Sequence, residues 1–372
     1  MIAAKKILYL VADDRYFCSH RLPLAVLAQQ QGYQVFVAAP AKNDYKRIQK
    51  AGLTFCPLYF DRGGLNPWHE IKTLYQIVKL YWQIRPDIVH AVALKPVLYG
   101  TLARMMVRSP QMVAAISGLG AIFSQDHWLQ KPIKMLLRFL LSNRKVQVIV
   151  QNPEDAQVIQ DLNPKINIHL ILGAGVNTEV FSPVPEPSDP FTVIHVSRLL
   201  WNKGIGEFVQ AARLLKQEGY DFRFLLVGEP DLENPGAISS ETVQQWHDEG
   251  IIEWLGYRSD IAALYQKSHL AVLASYYREG IPKSLIEAAS CGKPIITCDM
   301  PGCRLIVQDQ VNGFLIPPRN ADILANSIKK MALDVQQRQK FGKASRDLVE
   351  KSFGERIIHQ QTLNIYAKIT TK

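Results

Sequence analysis

Short apolar segments alternate with helical patterns along the chain, and this alternation limits the possible folds more than any other feature. In the first half, apolar segments typical of buried strands lie at Lys6–Ala12, Gln34–Ala39, Asp87–Ala91, Gln111–Ile116 and Val146–Val150. Between them, the helical pattern of Trp68–Ile84 places Ile71, Ile77 and Tyr81 on one apolar face. Near-continuous apolar strands that alternate with helices indicate a parallel sheet covered on both faces.

The pattern stops at a proline-rich segment and then begins again. Residues 177–190 contain four prolines, which is typical of a semi-rigid linker. We predict an N-terminal domain at 1–176, this linker at 177–190, a C-terminal domain at 191–352 and a terminal amphipathic helix at 353–372 that packs toward the first domain. The fold class is α/β, with two doubly wound, Rossmann-like sheets that face a central cleft. Ligands of such sheets bind at the carboxyl ends of the strands.

The composition supports two domains and excludes several other classes of protein. The chain has 372 residues, more than one ordinary α/β domain needs. Its five cysteines show no CxxC spacing, so neither a disulfide framework nor a zinc site is indicated. No apolar run approaches the roughly 20 residues that span a bilayer. The first apolar segment runs directly into Asp13, which argues against a signal peptide.

The net charge of +10 lies entirely in the first half of the chain. Residues 1–185 contain 21 Lys and Arg against 11 Asp and Glu, whereas residues 186–372 contain 22 of each class. This asymmetry predicts that the first half meets an anionic surface or substrate. The alternative anion is nucleic acid, but the chain has no basic tail, zinc finger or RNP-like aromatic motif, and we expect no nucleic-acid partner.

Two glutamates flank the start of a helix in the second half. Glu279 follows an apolar strand, Gly280 allows close backbone approach, and Glu287 lies about one turn inside the helix. The helix N-terminus offers N–H groups and the positive end of the helix dipole, which suit a diphosphate. The two carboxylates are suited to accept hydrogen bonds from sugar hydroxyls.

A second candidate segment, residues 197–204, joins the first strand of the second domain to its first helix. Its cations, Arg198 and Lys203, lie where a strand ends, and such cations stabilise the charge of a departing nucleoside diphosphate. The chain contains no Asp-X-Asp motif, so we expect no metal and no cofactor. The two cations then take the role that a metal would have.

Together these segments resemble the family 4 glycosyltransferases of the GT-B fold. The resemblance covers the whole chain. Residues 19–24 (Ser-His-Arg-Leu-Pro-Leu) resemble the first loop and helix of bacterial members that build cell-surface polysaccharides, and residues 175–177, 301–304 and 312–314 also match. Many members have a glycine-rich first loop, whereas this chain has Asp-Asp-Arg-Tyr at residues 13–16.

The resemblance implies a donor site in the second domain. Glu279 is expected to face the donor sugar and Glu287 the ribose hydroxyls. Arg198 and Lys203 are expected to hold the diphosphate. The remaining donor-binding residues that it implies are Gly256, Tyr257 and Arg258 near the base, and Gly280, Ile281, Pro282, Lys283 and Ser284 at the helix start.

The resemblance also implies an acceptor site in the first domain. His90 is expected to end its strand and face the cleft near the reacting sugar, as a catalytic residue beside Arg198, Lys203 and Glu279; a structural histidine is the alternative. Lys95 is expected to meet an acceptor phosphate, and a surface role for it remains open. The acceptor-binding residues are His20, Arg21, Lys95, Gly118 and Gly120, with a capping or surface role open for the first two.

A basic amphipathic segment at residues 131–145 bears on the identity of the acceptor. It combines Lys131, Lys134 and Arg138 with a run of large apolar residues. One reading is a core helix whose cations extend to solvent, and the other is an interfacial helix on anionic lipid. The second reading favours a polyprenyl-diphosphate-linked acceptor and a peripheral location on the cytoplasmic face of the inner membrane.

These observations predict retaining, metal-independent transfer of a hexosyl or N-acetylhexosaminyl group from a nucleotide diphosphate sugar, with UDP as the expected nucleotide. A sugar-nucleotide epimerase of the same fold is the first alternative, because a polar cleft alone does not distinguish the two activities. The combination of Arg198 and Lys203 with the two glutamates favours transfer. A basic nucleic-acid-binding protein is the remaining alternative.

Overall fold

Two parallel sheets, of seven and six strands, form the framework of the chain in a computed structural model. The prediction of two doubly wound sheets is confirmed. One unit consists of Met1–Ala174 together with Arg356–Lys372, and the other of Gly175–Glu355. The residues that the structure describes are 4–42, 44–60, 66–107, 110–119, 130–188 and 190–370.

The first unit is built on the seven-stranded sheet. Its strands are β1 (Lys6–Leu10), β2 (Gln34–Ala39), β3 (Thr54–Pro57), β4 (Ile88–Val92), β5 (Gln111–Ile116), β6 (Val146–Val150) and β7 (Asn167–Leu170). Its described helices are α1 (Asp14–His20), α2 (Leu22–Gln30), α3 (Tyr45–Lys50), α4 (Pro67–Ile84), α5 (Leu94–Met105), α6 (Gln130–Leu141) and α7 (Pro153–Leu162). The strand order is β3-β2-β1-β4-β5-β6-β7.

The second unit is built on the six-stranded sheet. Its strands are β8 (Thr192–Val196), β9 (Arg223–Val227), β10 (Glu253–Trp254), β11 (Leu270–Leu273), β12 (Ile295–Cys298) and β13 (Gly313–Ile316). Its described helices are α8 (Ile205–Gln217), α9 (Ser240–Asp248), α10 (Ile261–Gln266), α11 (Lys283–Ser290), α12 (Pro301–Arg304), α13 (Ala321–Leu333) and α14 (Val335–Ser352). The strand order is β10-β9-β8-β11-β12-β13.

The last helix, α15 (Glu355–Thr370), contributes to the core of the first unit. Successive side chains of β1 point to opposite faces of the sheet, so Tyr9 and Leu8 enter different core clusters. Tyr9 packs on the side of α1, α2 and α15, where its hydroxyl lies 3.0 Å from that of Tyr366. Leu8 packs on the side of α4, α5 and α6.

The proline-rich segment predicted to be a linker is packed along the second unit. Ser290 Oγ donates a hydrogen bond of 2.6 Å to the Phe181 carbonyl. Arg346 donates to the carbonyls of Thr178 and Phe181 at 3.1 and 2.9 Å. Because these bonds fix backbone carbonyls, the segment is held in one conformation against α11 and α14.

Helix α6, which contains most of the basic segment, has apolar residues on a buried side and on an exposed side. Leu137, Leu140 and Leu141 are buried in the core of the first unit. The opposite side of the helix exposes Met135 and Phe139, which are 72 % and 66 % accessible. Among the described residues, no helix is both long and apolar enough to cross a bilayer.

Candidate active site

The two candidate donor segments of the second unit follow neighbouring strands. The strand order reverses between β8 and β11, which pair in parallel with Ala271 opposite Ile194. Residues 197–204 follow β8, and Glu279 follows β11. Since the carboxyl ends of parallel strands lie at the same edge, the fold brings both segments to its topological switch point, the usual ligand site of such sheets.

The backbone of the first segment is pressed against the second. Gly204 has φ of +75°, and a Cβ there would lie 2.1 Å from the Ala274 carbonyl oxygen. The Asn202 carbonyl accepts from Tyr276 N at 3.1 Å, and Ser275 Oγ lies 3.2 Å from the same carbonyl oxygen. Only glycine permits this approach, so Gly204 fixes the register of the loop that carries Lys203.

Lys203 and Glu279 form an ion pair at this edge of the sheet. Lys203 Nζ donates to Glu279 Oε1, and Ser275 Oγ donates to the same oxygen at 2.9 Å. The Lys203 side chain is 10 % exposed and that of Glu279 21 %. Burial acts to raise the pKa of the Glu279 carboxyl, but Lys203 and Ser275 more than offset this, so the pKa lies below its ordinary value. The carboxylate is therefore charged at neutral pH.

His195, which sequence reasoning missed, holds the backbone of Lys203. It lies inside β8 with no exposed surface, and its Nε2 is 3.1 Å from the Lys203 carbonyl oxygen. Burial is the main cause that lowers the pKa of His195 to about 4, so the ring is neutral. Because a carbonyl oxygen only accepts, Nε2 carries the hydrogen and donates it. The alternation of residues in the strand gave no sign of this bond.

Arg198 is more open than Lys203. Its guanidinium pairs with Asp231 Oδ2 at 2.5 Å, and its side chain is 50 % exposed. Its positive charge also lowers the pKa of Glu279, by less than Lys203 and Ser275 do. The structure therefore brings Arg198, Lys203 and Glu279 into one electrostatic group.

The start of helix α11 completes this edge of the second unit. Pro282 caps the helix without a side-chain hydrogen bond, and Ile281 before it is buried. Lys283 pairs with Glu287 one turn later at 2.9 Å. The Ser284 carbonyl accepts from the Tyr265 hydroxyl at 2.8 Å, which ties this turn to α10.

Gly280 is in close contact with the next loop. A Cβ on Gly302, in α12, would lie 1.5 Å from the Gly280 carbonyl oxygen and 3.1 Å from that of Glu279. No side chain fits at this crossing. Gly302 thus lets α12 support the backbone that presents Glu279.

Gly256, Tyr257 and Arg258 follow β10, which lies two strands from β8. Gly256 has φ of +62°, and its carbonyl accepts from Gly228 N at 2.9 Å. The Tyr257 side chain is half exposed, and Arg258 donates to both carboxylate oxygens of Asp260, at 2.8 and 2.6 Å. The sequence-predicted donor residues thus follow the ends of three strands of one sheet.

The placement of His90 corrects the prediction that it ends its strand. Strand β4 continues to Val92, because Ala91 and Val92 remain paired with β5. His90 is completely buried, stacks on Tyr9 with ring centroids 5.1 Å apart, and forms a hydrogen bond through Nδ1 with the Tyr366 hydroxyl. Burial, assisted by the charge of Arg21, holds the pKa of His90 well below its ordinary value.

The two predicted acceptor cations, Lys95 and Arg21, differ in whether the structure gives them a partner for their charged groups. Lys95 Nζ pairs with Glu70 of α4 at 2.7 Å, so its charge is compensated within the protein. Arg21 joins α1 to α2 and is only 4 % exposed, and its buried Nε has no hydrogen-bond partner among the described residues. Its charge assists burial in lowering the pKa of His359 to about 4.

Two other predicted acceptor residues, His20 and Gly118, are less buried than Arg21. His20 is partly buried, with Nδ1 2.7 Å from Ser19 Oγ and its ring stacked on Tyr16 at 4.2 Å. Gly118 follows β5 with φ of +130°. Gly120 lies outside the described residues. Among the residues that the structure does describe, no group of three or more His, Cys, Asp or Glu is placed to hold a metal ion.

Two family models match consecutive parts of the chain. Residues 6–152 match the model "Glycosyl transferase 4-like", and residues 176–348 match "Glycosyl transferases group 1". The fold is similar to that of sucrose-phosphate synthase from Thermosynechococcus elongatus, with a TM-score of 0.82 over 99 % of this chain and 100 % of that one, at 21 % identity.

Two characterised relatives are also similar in sequence. The N,N'-diacetylbacillosaminyl-diphospho-undecaprenol alpha-1,3-N-acetylgalactosaminyltransferase of Campylobacter jejuni is 29 % identical, over 94 % of this chain and 95 % of its own length. The UDP-Gal:alpha-D-GlcNAc-diphosphoundecaprenol alpha-1,3-galactosyltransferase of Escherichia coli is 25 % identical, over 71 % of both chains. The two matched models cover most of the sequence, and the chain belongs to the family 4 glycosyltransferases of the GT-B fold.

Proposed function

We propose that this chain is a retaining, metal-independent hexosyl- or N-acetylhexosaminyl-transferase that uses a UDP-sugar and a polyprenyl-diphosphate-linked acceptor. The observation that carries the donor half of this proposal is the Lys203–Glu279 pair at the switch point of the second sheet. A buried ion pair adds little to stability on balance, because desolvation opposes the attraction. The Lys203–Glu279 pair matters for function because it fixes a cation at the place where the diphosphate leaves.

We propose separate tasks for the members of this group. Lys203 is fixed by His195 and by Glu279, whose carboxylate also accepts from Ser275, and is ready to stabilise the charge that develops on the leaving diphosphate. Arg198, which is more exposed and pairs with Asp231, contributes a second positive charge to the same diphosphate. Glu279 keeps part of its surface accessible, which leaves it able to accept a hydrogen bond from a sugar hydroxyl.

The proposed acceptor and donor rest on the relatives and on the basic first half. Both relatives act, by their names, on undecaprenyl-diphosphate-linked sugars, and one of them uses UDP-Gal. Both form alpha-1,3 linkages. An anionic, lipid-linked acceptor also suits a half of the chain that holds 21 cations against 11 acids. We place the reaction at the cytoplasmic face of the inner membrane.

A donor screen tests this function directly. The protein is incubated with UDP-, GDP- and ADP-sugars and a short-chain polyprenyl-diphosphate sugar, the lipid product is identified by mass spectrometry, and its anomeric configuration is determined by NMR. Transfer from a UDP-sugar with an α anomeric signal in the product supports the proposal. Conversion of the donor without acceptor would instead indicate the epimerase, which the comparisons do not favour.

Removal of divalent cations is expected to leave turnover nearly unchanged. Lys203 and Arg198 supply the positive charge that a metal would otherwise provide. The measurement compares steady-state rates in chelator with rates in magnesium and in manganese. An absolute requirement for either metal would contradict the prediction.

Arg21→Met is expected to raise the KM for a diphosphate-linked acceptor by about 10- to 100-fold. Arg21 is a buried cation without a partner for Nε among the described residues, and a charge-assisted hydrogen bond to phosphate is worth about 1.5–3 kcal/mol. The KM for the UDP-sugar should stay the same. Lys46→Met, which removes an exposed cation of α3, is the matched control.

A phosphate-free acceptor distinguishes binding from structural support. Arg21→Met should not change the KM for the same sugar on an uncharged lipid. An equal rise for both acceptors would show that Arg21 only supports the fold, and an unchanged KM for both would remove it from the acceptor site.

A further inference from the structure

The outer face of α4 exposes a line of large apolar side chains. Trp68, Ile71, Tyr75 and Trp82 are 78 %, 59 %, 65 % and 63 % accessible. Their spacing of three, four and seven residues places them on one side of the helix. The opposite side, which includes Ile77, is buried in the core. We refer to these four residues as the α4 stripe.

The α4 stripe lies among cations, and the helix itself carries a single acid, on another side. Lys72 and Lys79 are exposed on the same side of the helix. The one acid of α4, Glu70, is turned to Lys95 and to the Tyr99 hydroxyl. Lys72 Nζ also lies 5.6 Å above the ring of Tyr59, which is itself 43 % exposed and extends the surface.

This composition matches the boundary between water and lipid. Trp and Tyr combine an apolar ring with a polar edge, and they concentrate at that boundary. Lysines bury their carbon chains in such a surface and direct their charge to anionic headgroups. Trp68 and Trp82 are 14 positions apart, or about 21 Å along a helix, so both ends of α4 carry an anchor.

Neighbouring helices extend this apolar surface on the same side of the sheet. Helix α4 packs against α5, and α5 packs against α6. All three bury residues in the same core cluster. The end of α5 exposes Met105 and Met106, and α6 exposes Met135 and Phe139. An exposed apolar area of this extent is unusual on the surface of a soluble protein unless it binds a partner or a membrane.

We propose that the α4 stripe docks this chain on an anionic lipid bilayer, with α4 parallel to the membrane plane and Trp68 and Trp82 at the headgroup boundary. The choice of lipid as the occupant rests on the proposed function, because a lipid-linked acceptor is reached from such a surface. The charges also favour lipid over a second copy of the chain. A two-fold contact through this face would bring identical lysines together, whereas anionic headgroups neutralise them.

Vesicle flotation measures the docking without any transfer reaction. The full chain should bind vesicles that contain phosphatidylglycerol, bind pure phosphatidylcholine weakly, and be released by salt. Lys72→Glu/Lys79→Glu should weaken the partition by about 30-fold or more, at about five-fold for each cation removed. Trp68→Ser/Trp82→Ser should weaken it by at least about 10-fold. Both pairs are exposed, so the fold should be retained.

Matched controls in the second unit separate docking from general loss of charge or apolar surface. Lys340→Glu/Lys351→Glu changes two exposed lysines of α14, and Leu232→Ser removes a side chain that is 82 % exposed. Neither should change the partition. Quenching of tryptophan fluorescence by brominated lipid should occur in the wild type and fall strongly in Trp68→Ser/Trp82→Ser.

Three results would overturn the proposal. The first is wild-type binding to anionic vesicles by both α4 variants. The second is loss of binding only when Lys131, Lys134 and Arg138 of α6 are reversed, which would make α6 the docking helix. The third is absence of vesicle binding together with a dimer in solution that Trp68→Ser/Trp82→Ser dissociates. A chain that docks but transfers no sugar would leave this inference intact and contradict the proposed function alone.

Discussion

Lys203→Ala is expected to lower turnover by about 10²- to 10³-fold, with a much smaller change in donor affinity. The charge on the diphosphate grows as the bond to the sugar breaks, so a fixed cation contributes mostly in the transition state. Lys203 is held at its Nζ by Glu279 and at its carbonyl by His195, and the Ser275 hydroxyl donates to the Glu279 oxygen that pairs with Lys203. It therefore needs little reorganisation when the leaving group becomes anionic. Steady-state kinetics with saturating acceptor measure kcat and KM separately.

The effect of Lys203→Ala on turnover has to be distinguished from its effect on stability, because Glu279 loses its partner. A double variant makes this distinction. Lys203→Ala leaves the Glu279 carboxylate charged and without its main partner, which lowers the stability of the fold. Lys203→Ala/Glu279→Gln removes both charges and should recover much of the lost thermal stability. Turnover should remain low in the double variant, because the cation is still missing. Turnover that recovers together with Tm would show that Lys203 only stabilises the fold.

A surface ion pair in the same unit provides the matched control. Arg213 pairs with Glu249 at 2.6 Å, and both side chains are about one-third exposed. Arg213→Ala should leave turnover unchanged and cost at most about 1 kcal/mol of stability. Arg198→Ala should lower turnover less than Lys203→Ala, since its side chain is half exposed and its charge is screened by water.

Much of the second unit could be predicted because its strands are short, apolar and separated by clear helical patterns. The sequence pattern of the second half predicts helices at residues 205–217 and 283–290, which are the bounds of α8 and α11. It predicts strands at residues 191–197 and 270–274, and β8 and β11 end within one residue of these positions. Because the carboxyl ends of β8 and β11 lie side by side, residues 197–204 lie beside Glu279. The pairing of Lys203 with Glu279 joins positions 76 residues apart, and strand order makes them neighbours.

Other parts could not be predicted because they depend on contacts that a sequence pattern does not contain. The apolar pattern that predicts a helix at Trp68–Ile84 includes both Ile71 and Ile77, but Ile71 is exposed and Ile77 is buried. The helix has apolar residues on two sides, and only packing decides which side is buried. Lys95 pairs with Glu70, 25 residues earlier, and no local signal indicates that pair. His90 lies within its strand because pairing with β5 extends β4 beyond it.

The glycine at the crossing of α12 and the Glu279 loop was part of a matched segment, but the reason for it appears only in the structure. A Cβ on Gly302 would lie 1.5 Å from the Gly280 carbonyl oxygen and 2.6 Å from its carbon. Both contacts are to backbone, which has no flexible end that can move aside. The backbone of residues 279–280 or the start of α12 must therefore shift to admit a methyl group.

Gly302→Ala is accordingly expected to lower turnover by about 10²-fold and the free energy of unfolding by about 1–3 kcal/mol. A shift of the Glu279 backbone moves the carboxylate that positions Lys203, and a displacement near 1 Å is enough for a loss of this size. The measurements are kcat and the Tm of the same preparation. Gly354→Ala is the control, since its added Cβ meets only Thr178 Cγ2, at 4.0 Å. Wild-type turnover in Gly302→Ala would show that the position of Glu279 does not depend on this crossing. A fall in kcat larger than the unfolded fraction of the variant explains would place the contact of α12 with the Glu279 loop within the donor site.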